Sequence, residues 1–222
     1  MPRLAPLLVA LVALLAGCNN AGDAPETTTT PTPSGPPPPP PPPSEGSVVA
    51  HVNDTWRYSG DANETVVSTV TGANATMVRL RTVSERPGGA PHTTITTFDA
   101  RTLAILSVQD QLVAGGVTIR FDPPLPILIP AEDHVYNGTL IAATPFGDVR
   151  QQATANVRFL GLENVTVPAG SFATYRYNAT IRSEGLFPFA QETEIWFSPE
   201  VEQAVRTIRD GHMQELVSYE IG

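Results

Sequence analysis

Apolar and polar side chains alternate along much of the sequence after residue 46, and this alternation restricts the fold to β-structure. In Phe172–Ser183, apolar side chains occupy every second position from Tyr175 to Ile181, with polar side chains between them. A period of two residues marks a β-strand with one buried face. Thr76–Ser84 and Gly116–Phe121 have the same pattern. The predicted inner face comprises Val78, Leu80, Val117, Ile119, Phe121, Tyr175, Tyr177 and Ile181.

Nine further strand candidates are separated by turns rich in Gly, Pro and Asp. They are His51–Tyr58, Thr65–Gly72, His92–Asp99, Leu103–Asp110, Val135–Thr144, Asp148–Leu162, Phe189–Ser198, Gln203–Asp210 and Met213–Ile221. No stretch has the period of a helix. About a dozen strands at this spacing predict an all-β domain over residues 47–222, folded as a single antiparallel meander sheet curled into an incomplete barrel.

The N-terminus carries an export signal that ends at the only cysteine of the chain. Arg3 precedes an apolar run from Leu4 to Ala16, which is shorter than the roughly 20 residues that cross a bilayer as a helix. Such a run is typical of a secretory signal. Its end, Leu-Ala-Gly-Cys18, resembles the lipobox of prokaryotic lipoproteins, whose cysteine takes the lipid. We therefore predict a signal peptide over residues 1–17 and a membrane anchor on Cys18, at the extracytoplasmic face of the cell membrane.

Residues 18–46, between the anchor and the β-rich region, have no strand or helix pattern. They include four consecutive Thr and the eight-proline run Pro36–Pro43. Polyproline rises about 3.1 Å per residue, so this run is a stiff spacer of about 25 Å. We interpret residues 18–46 as a disordered Thr/Pro-rich stalk. A proline-rich ligand for a partner protein is the alternative.

Six of the seven Asn residues after residue 46 begin an Asn-x-Thr sequon. Chance predicts about one sequon among seven Asn at this Ser and Thr content. The preference of Asn-x-Thr for turns in a Thr-rich β-protein raises that expectation to only about two or three. N-glycosylation together with a lipobox points to an archaeal protein. The predicted glycosylation sites, expected on the surface, are Asn53, Asn63, Asn74, Asn137, Asn164 and Asn178.

Charge and residue spacing argue against several functional classes. The net charge of −9 is unsuited to nucleic acid, which requires a basic face. One Cys cannot form an internal disulfide framework. The four His are scattered, and only His134 has acidic neighbours, Glu132 and Asp133; we expect a solvated turn there. Glu192 and Glu194 share a strand face and are expected in solvent. No nucleophile motif or phosphate loop occurs, so we predict no enzyme, cofactor or metal site.

The segment from Asp122 to Pro130 combines four prolines with apolar residues. Proline cannot donate to a sheet ladder, so we predict an extended cover over an apolar surface rather than a central strand. That surface is either permanent core, which we favour, or a groove that opens for a ligand. Leu103–Val108 is apolar on both faces, so it is covered from outside by protein or ligand. Candidate groove or lid residues are Leu125, Ile127, Leu128, Ile129, Tyr175, Tyr177 and Ile181.

Several motifs resemble a domain of unknown function found in exported bacterial and archaeal proteins. Glu163–Phe172 matches its Glu-x-Val-Thr-Val-Pro-Ala-Gly-x-Phe form, and Trp196–Val201 is similar to its Trp-Tyr-Ser-Pro-x-Val hairpin. Glu215–Tyr219 resembles its closing strand, and Asp99–Leu103 its Asp-x-x-Thr-Leu turn. The resemblance implies a half-barrel similar to the lipoprotein carriers LolA and LppX, which hold lipid on a concave face. It brings no catalytic motif.

Two non-enzymatic functions remain open. The first is a cell-surface lipoprotein that binds a lipid or other hydrophobic molecule inside the half-barrel. The second is a structural or interaction protein of the archaeal cell envelope, with a filled core and no ligand. An apolar groove above about 300 Å³ favours the first function. An envelope hydrolase is a distant third, and the oligomeric state is not predicted.

Overall fold

Twelve antiparallel strands form one sheet in the computed structural model, which describes residues 50–111, 117–126, 132–144, 147–185 and 188–222. A short 3-10 helix, Asp61–Asn63, separates the first two strands. In chain order the strands are β1 (Thr55–Gly60), β2 (Thr65–Ala73), β3 (Met77–Glu85), β4 (His92–Asp99), β5 (Ile105–Asp110), β6 (Val117–Leu125), β7 (His134–Thr144), β8 (Gly147–Val167), β9 (Gly170–Glu184), β10 (Phe189–Ser198), β11 (Gln203–Arg209) and β12 (His212–Glu220). The predicted all-β meander is confirmed.

The sheet closes into a barrel, where the sequence predicted an incomplete one. Each strand pairs with its successor, and β1 pairs with both β2 and β12. Trp56 faces Ser68 on one side and Tyr219 on the other. Pairing the first strand with the last gives hydrogen-bond partners to backbone groups that an open sheet would leave unpaired. Alternation alone does not reveal such a long-range pair.

The predicted inner face is confirmed. All eight of its residues are buried, and the most exposed of them, Ile181, is only 9% exposed. Arg79 and Arg120 on the opposite parity are exposed, and Arg176 is half-buried on the outer face. The register is strict because a one-residue slip would exchange the two faces of a strand.

The proline-containing segment departs from its prediction. Strand β6 continues through Pro123 and Pro124 to Leu125, which pairs with Ile105 of β5. The prolines occupy an irregularity in this ladder, a position at which a missing N–H donor is tolerated. The phenolic hydroxyl of Tyr136 donates to the Pro123 carbonyl at 2.8 Å. The prediction of a cover outside the sheet is therefore wrong for 122–125, and Ile127, Leu128 and Ile129 lie outside the described residues.

The β8–β9 hairpin extends beyond its neighbours and packs its tip against the last strands. The ladder shifts register between Phe159 and Gly161, and Gly161 has a φ of 129°, a conformation that favours glycine. Beyond this shift, Val165, Val167 and Phe172 join the same buried cluster as Leu216. The backbone N–H of Ala169 donates to the Leu216 carbonyl at 3.0 Å. The Pro-Ala-Gly turn of the motif is thus a structural contact.

The β4–β5 turn is organised by one carboxylate. Asp99 Oδ1 accepts hydrogen bonds from the backbone N–H groups of Arg101 and Thr102, each at 2.9 Å, and from the Thr102 hydroxyl at 3.0 Å. The Thr102 backbone bond is the largest cause that holds the pKa of Asp99 below its usual value. The Asp-x-x-Thr-Leu motif therefore stabilises the β4–β5 turn.

Candidate functional site

The barrel interior contains a cavity of about 230 Å³. Its walls are mostly hydrophobic and are supplied by ten of the twelve strands, all except β7 and β8. Lining residues include Trp56, Val70, Leu80, Phe121, Ile195 and Phe197. Such a concave, apolar space with few polar groups is the usual form of a small-molecule site.

Polar residues line both ends of the cavity, and one group of them lies where β10 begins and β11 ends. Gln191 and Thr193 lie in the first half of β10, Arg209 is the last residue of β11, and Gln214 is near the start of β12. Glu202 and Gln203, just before and at the start of β11, line the opposite end. The interior therefore has an apolar middle and two polar ends, and the cation Arg209 lies at one of them.

Arg209 is the cationic residue of this cavity wall. Its side chain is only 6% exposed, and its Nε atom has no hydrogen-bond partner among the described residues. The carboxylates of Asp210 and Glu64 act on its charge, and Glu64 is shared with other groups: Oε1 lies 3.4 Å from Arg86 Nε, and Oε2 accepts from Gln214 Nε2 at 3.1 Å. Burial lowers the pKa of Arg209 to about 9, so the guanidinium remains charged at neutral pH.

A β-bulge turns Arg209 toward the interior. In the β10–β11 ladder, Trp196 pairs with Arg206 but Phe197 pairs with Ala204, so one extra residue lies on β11. Both Ala204 and Thr207 consequently line the cavity, although residues three apart would point to opposite faces of a regular strand. Arg209 follows Thr207 by two residues and shares its face.

The cavity wall contains a second buried polar atom without a partner. Thr96 on β4 is fully buried, and its Oγ1 has no hydrogen-bond partner among the described residues. Elsewhere in the wall, Glu202 precedes β11, at the end away from Arg209. Burial, followed by the charge of Asp54, raises the pKa of Glu202. The two ends of the cavity thus differ in charge.

The structure brings together only part of the predicted groove. Leu125 and Ile181 line the cavity. Tyr175 and Tyr177 are buried inside the barrel but pack against Phe159, with ring centroids 6.2 and 5.6 Å apart, and do not belong to the cavity wall. Arg209 and Thr96 were missed. Their strands show no feature in the sequence that separates a buried polar residue from a surface one.

Five sequon asparagines are exposed, and Asn178 is half-buried on the outer face. Asn53 and Asn63 have φ values of 84° and 60°, in the left-handed region that Asn tolerates. Asn74 Oδ1 accepts from the Thr76 hydroxyl at 2.9 Å. Asn178 Nδ2 donates to Glu192 Oε1 at 2.7 Å. These placements are compatible with glycosylation, which stays a prediction.

An ionic network on the outer face surrounds Trp196 of the Trp-Phe-Ser-Pro motif. The Arg176 and Arg206 guanidinium carbons lie 5.0 and 5.7 Å from its ring centroid, and its Nε1 donates to Glu163 Oε1. Arg176 Nη2 also pairs with Glu194 at 2.7 Å. Glu163 and Trp196, both motif residues, thus hold the long hairpin against β10.

Other predicted features give no site among the described residues. No group of three or more His, Cys, Asp or Glu side chains there is arranged to hold a metal ion. Asp133, beside His134, accepts a hydrogen bond from the Phe159 backbone N–H at 2.8 Å. In the same part of the chain, no helix is long and apolar enough to span a membrane. Cys18, the predicted signal peptide and the stalk lie outside the described residues.

No protein-family model and no curated protein matches this sequence. Among solved structures, a Bacteroides fragilis protein described as exported, with a YmcC-like fold, has 12% identity and a TM-score of 0.50, covering 79% of this chain and 99% of its own. A Parabacteroides distasonis protein described as a lipoprotein has 12% identity, the same coverage and a TM-score of 0.47.

The hypothetical lipoprotein YmcC from Escherichia coli has 7% identity and a TM-score of 0.43, covering 78% of this chain and 89% of its own. The likeness to LolA and LppX, and the sequence motif, stay predictions. The similarity to the Bacteroides fragilis structure shows that the two chains share a fold, and identity at this level shows nothing beyond the fold.

Proposed function

We propose that this protein is a lipid-anchored, non-enzymatic binding protein that takes a hydrophobic molecule into its barrel. The observation that carries the proposal is the interior cavity of about 230 Å³ with mostly apolar walls. Burying apolar ligand surface there contributes roughly 25 cal/mol per Å². The volume is below the roughly 300 Å³ set above as favouring ligand binding, so the proposal rests on the apolar walls and is restricted to a slender ligand.

The probe N-phenyl-1-naphthylamine, a neutral apolar dye that fluoresces when it leaves water, tests this function. We expect a saturable fluorescence increase with the purified protein. Ala204→Phe should abolish that increase, because Ala204 lines the cavity and a ring there fills it. The matched control is Ala190→Phe on the exposed face of β10, which should leave binding unchanged. No saturable signal from the wild-type protein would favour the alternative, an envelope interaction protein without a ligand.

The location is part of the same proposal: an anchor on Cys18, a stalk over residues 18–46 and the domain at the extracytoplasmic face of the membrane. The lipobox-like sequence supports it, and so does the fold shared with a protein described as exported. We further propose glycans on the six sequons. No cofactor or nucleic-acid partner is part of the proposal.

Mass spectrometry of the protein isolated from its native membrane tests both modifications. We expect a mature chain that begins at Cys18 and carries a lipid mass. Peptides containing Asn53, Asn63, Asn74 or Asn137 should carry glycan masses, as should those containing Asn164 or Asn178. A chain that begins elsewhere without lipid would contradict the anchor, and unmodified sequon peptides would contradict the glycans.

A further inference from the structure

We propose that the cavity binds an amphiphile with one alkyl chain and an anionic head group, a carboxylate or a phosphate monoester, with the head against Arg209. This inference rests on the proposed function and narrows its ligand from any hydrophobic molecule to one charge class. It follows from the buried Nε atom of Arg209, which has no hydrogen-bond partner among the described residues, from the polarity of the cavity ends and from the cavity size.

The buried guanidinium of Arg209 has an unmet hydrogen bond at Nε. A buried guanidinium is costly unless it is paired and hydrogen-bonded. The side chain is 6% exposed and its Nε has no described partner. The carboxylates of Asp210 and Glu64 act on the charge of Arg209, and Glu64 is also held by Arg86 and Gln214. Neither gives Nε a hydrogen bond, so an anionic head group would supply the acceptor that Nε lacks, in the planar geometry that guanidinium favours.

The positions of the polar lining residues indicate the direction in which a ligand lies. The Arg209 end of the cavity also contains Gln191, Thr193 and Gln214, whereas the middle is lined by residues such as Leu80 and Phe121. An amphiphile would therefore place its head at the polar end and its chain in the apolar middle. The other end contains Glu202, which would repel a second anion. The unbonded Nε atom of Arg209 thus favours the orientation in which the head group lies at that end.

The volume of the cavity limits the ligand to one alkyl chain. The cavity of about 230 Å³ is smaller than the pockets of roughly 300–1,000 Å³ that hold drug-sized ligands. A phospholipid or diacylglycerol has two long chains and exceeds this space. A ligand with one slender alkyl chain suits a space of this volume.

Competition against N-phenyl-1-naphthylamine provides the test. The competitors are dodecanoate, dodecyl phosphate, 1-dodecanol and dodecylamine, which share a chain and differ in head-group charge. We expect at least one anion to displace the probe from wild-type protein at a concentration at least about tenfold lower than dodecanol, the effect of one charge-assisted hydrogen bond. Dodecylamine should be the weakest. The tighter of the two anions identifies the head group as carboxylate or phosphate.

Variants of Arg209 connect this preference to the residue. In Arg209→Gln, the two anions should displace the probe only at the concentration that dodecanol requires, and the concentration for dodecanol should be unchanged. In Arg209→Lys, the anions should still displace the probe at a lower concentration than dodecanol, by a smaller factor than in the wild type. Arg79→Gln, on the exposed outer face of β3, is the matched control and should change nothing. If Arg209→Gln does not fold, the wild-type comparison still decides.

Failure of the anionic-ligand inference and failure of the proposed function would give different results. Equal displacement by dodecanoate, dodecyl phosphate and dodecanol, or a full anion preference in Arg209→Gln, would overturn the anionic-ligand inference and leave the proposed function intact. Absence of probe binding to wild-type protein, with no heat or mass change on adding any of the four competitors, would overturn the proposed function itself.

Discussion

Leu216→Ala is expected to lower the free energy of unfolding by about 2–5 kcal/mol, the usual cost of truncating a fully buried leucine. Leu216 is 0% exposed and lies in β12, the strand that closes the barrel. It packs in one cluster with Trp56, Val201 and Val205. Truncation would leave a void where the first strand, the last strand and the long hairpin meet. Urea denaturation followed by circular dichroism measures the loss.

The neighbouring residue provides the control for Leu216. Val217 is 42% exposed on the opposite face of β12, so Val217→Ala should change stability by no more than about 0.5 kcal/mol. A larger loss from Val217→Ala than from Leu216→Ala would mean that β12 presents its other face to the core.

Arg209→Met is expected to raise the stability of the ligand-free protein by about 1–3 kcal/mol, opposite in sign to most buried substitutions. Methionine has a similar reach and carries no charge or N–H donor to desolvate. The increase arises because the Nε atom of Arg209 has no described partner inside the barrel. The measurement is urea denaturation of protein that has been delipidated under denaturing conditions and refolded.

A paired arginine supplies the comparison for Arg209. Arg206 on the same strand lies 2.6 Å from Glu215 Oε1 and stacks over Trp196, so Arg206→Met should not stabilise the protein. If Arg209→Met instead lowered stability by the amount typical of a broken ion pair, the guanidinium would be satisfied within the protein. An anionic ligand would then not be needed to supply a hydrogen-bond acceptor for Arg209 Nε.

Most of the fold could be predicted from alternation because most strands have one uniformly apolar face. His92–Asp99 and Phe189–Ser198 were predicted with the boundaries of β4 and β10. Closure could not be predicted, because the β1–β12 pairing depends on tertiary distance. Strand β6 was cut short because its two prolines normally end a ladder, whereas here they sit at an irregularity.

The candidate site was harder to predict than the fold, for a reason visible in β11. Its two faces, Ala204, Arg206 and Ile208 against Gln203, Val205, Thr207 and Arg209, are equally mixed. The bulge also exchanges the inward and outward positions midway along the strand, so the alternation before it does not continue after it. No count of apolar positions could assign Arg209 to the interior under those conditions. Leu125 and Ile181 could be predicted as lining residues because they are apolar, and an apolar side chain of a barrel in water is favoured on the inner face.

The pairing of β1 with β12 also has a consequence for the order of folding. Thr55 pairs with Glu220, so this contact joins positions at opposite ends of the domain. Contacts of high sequence separation slow folding, because the entropy of closing a long loop precedes the gain from pairing. Until β12 is available, β1 and β11 each lack a neighbour and Leu216 cannot complete its cluster. A chain that lacks β12 therefore cannot close this barrel, and the cluster that contains Leu216 is completed only after the last strand has been synthesised.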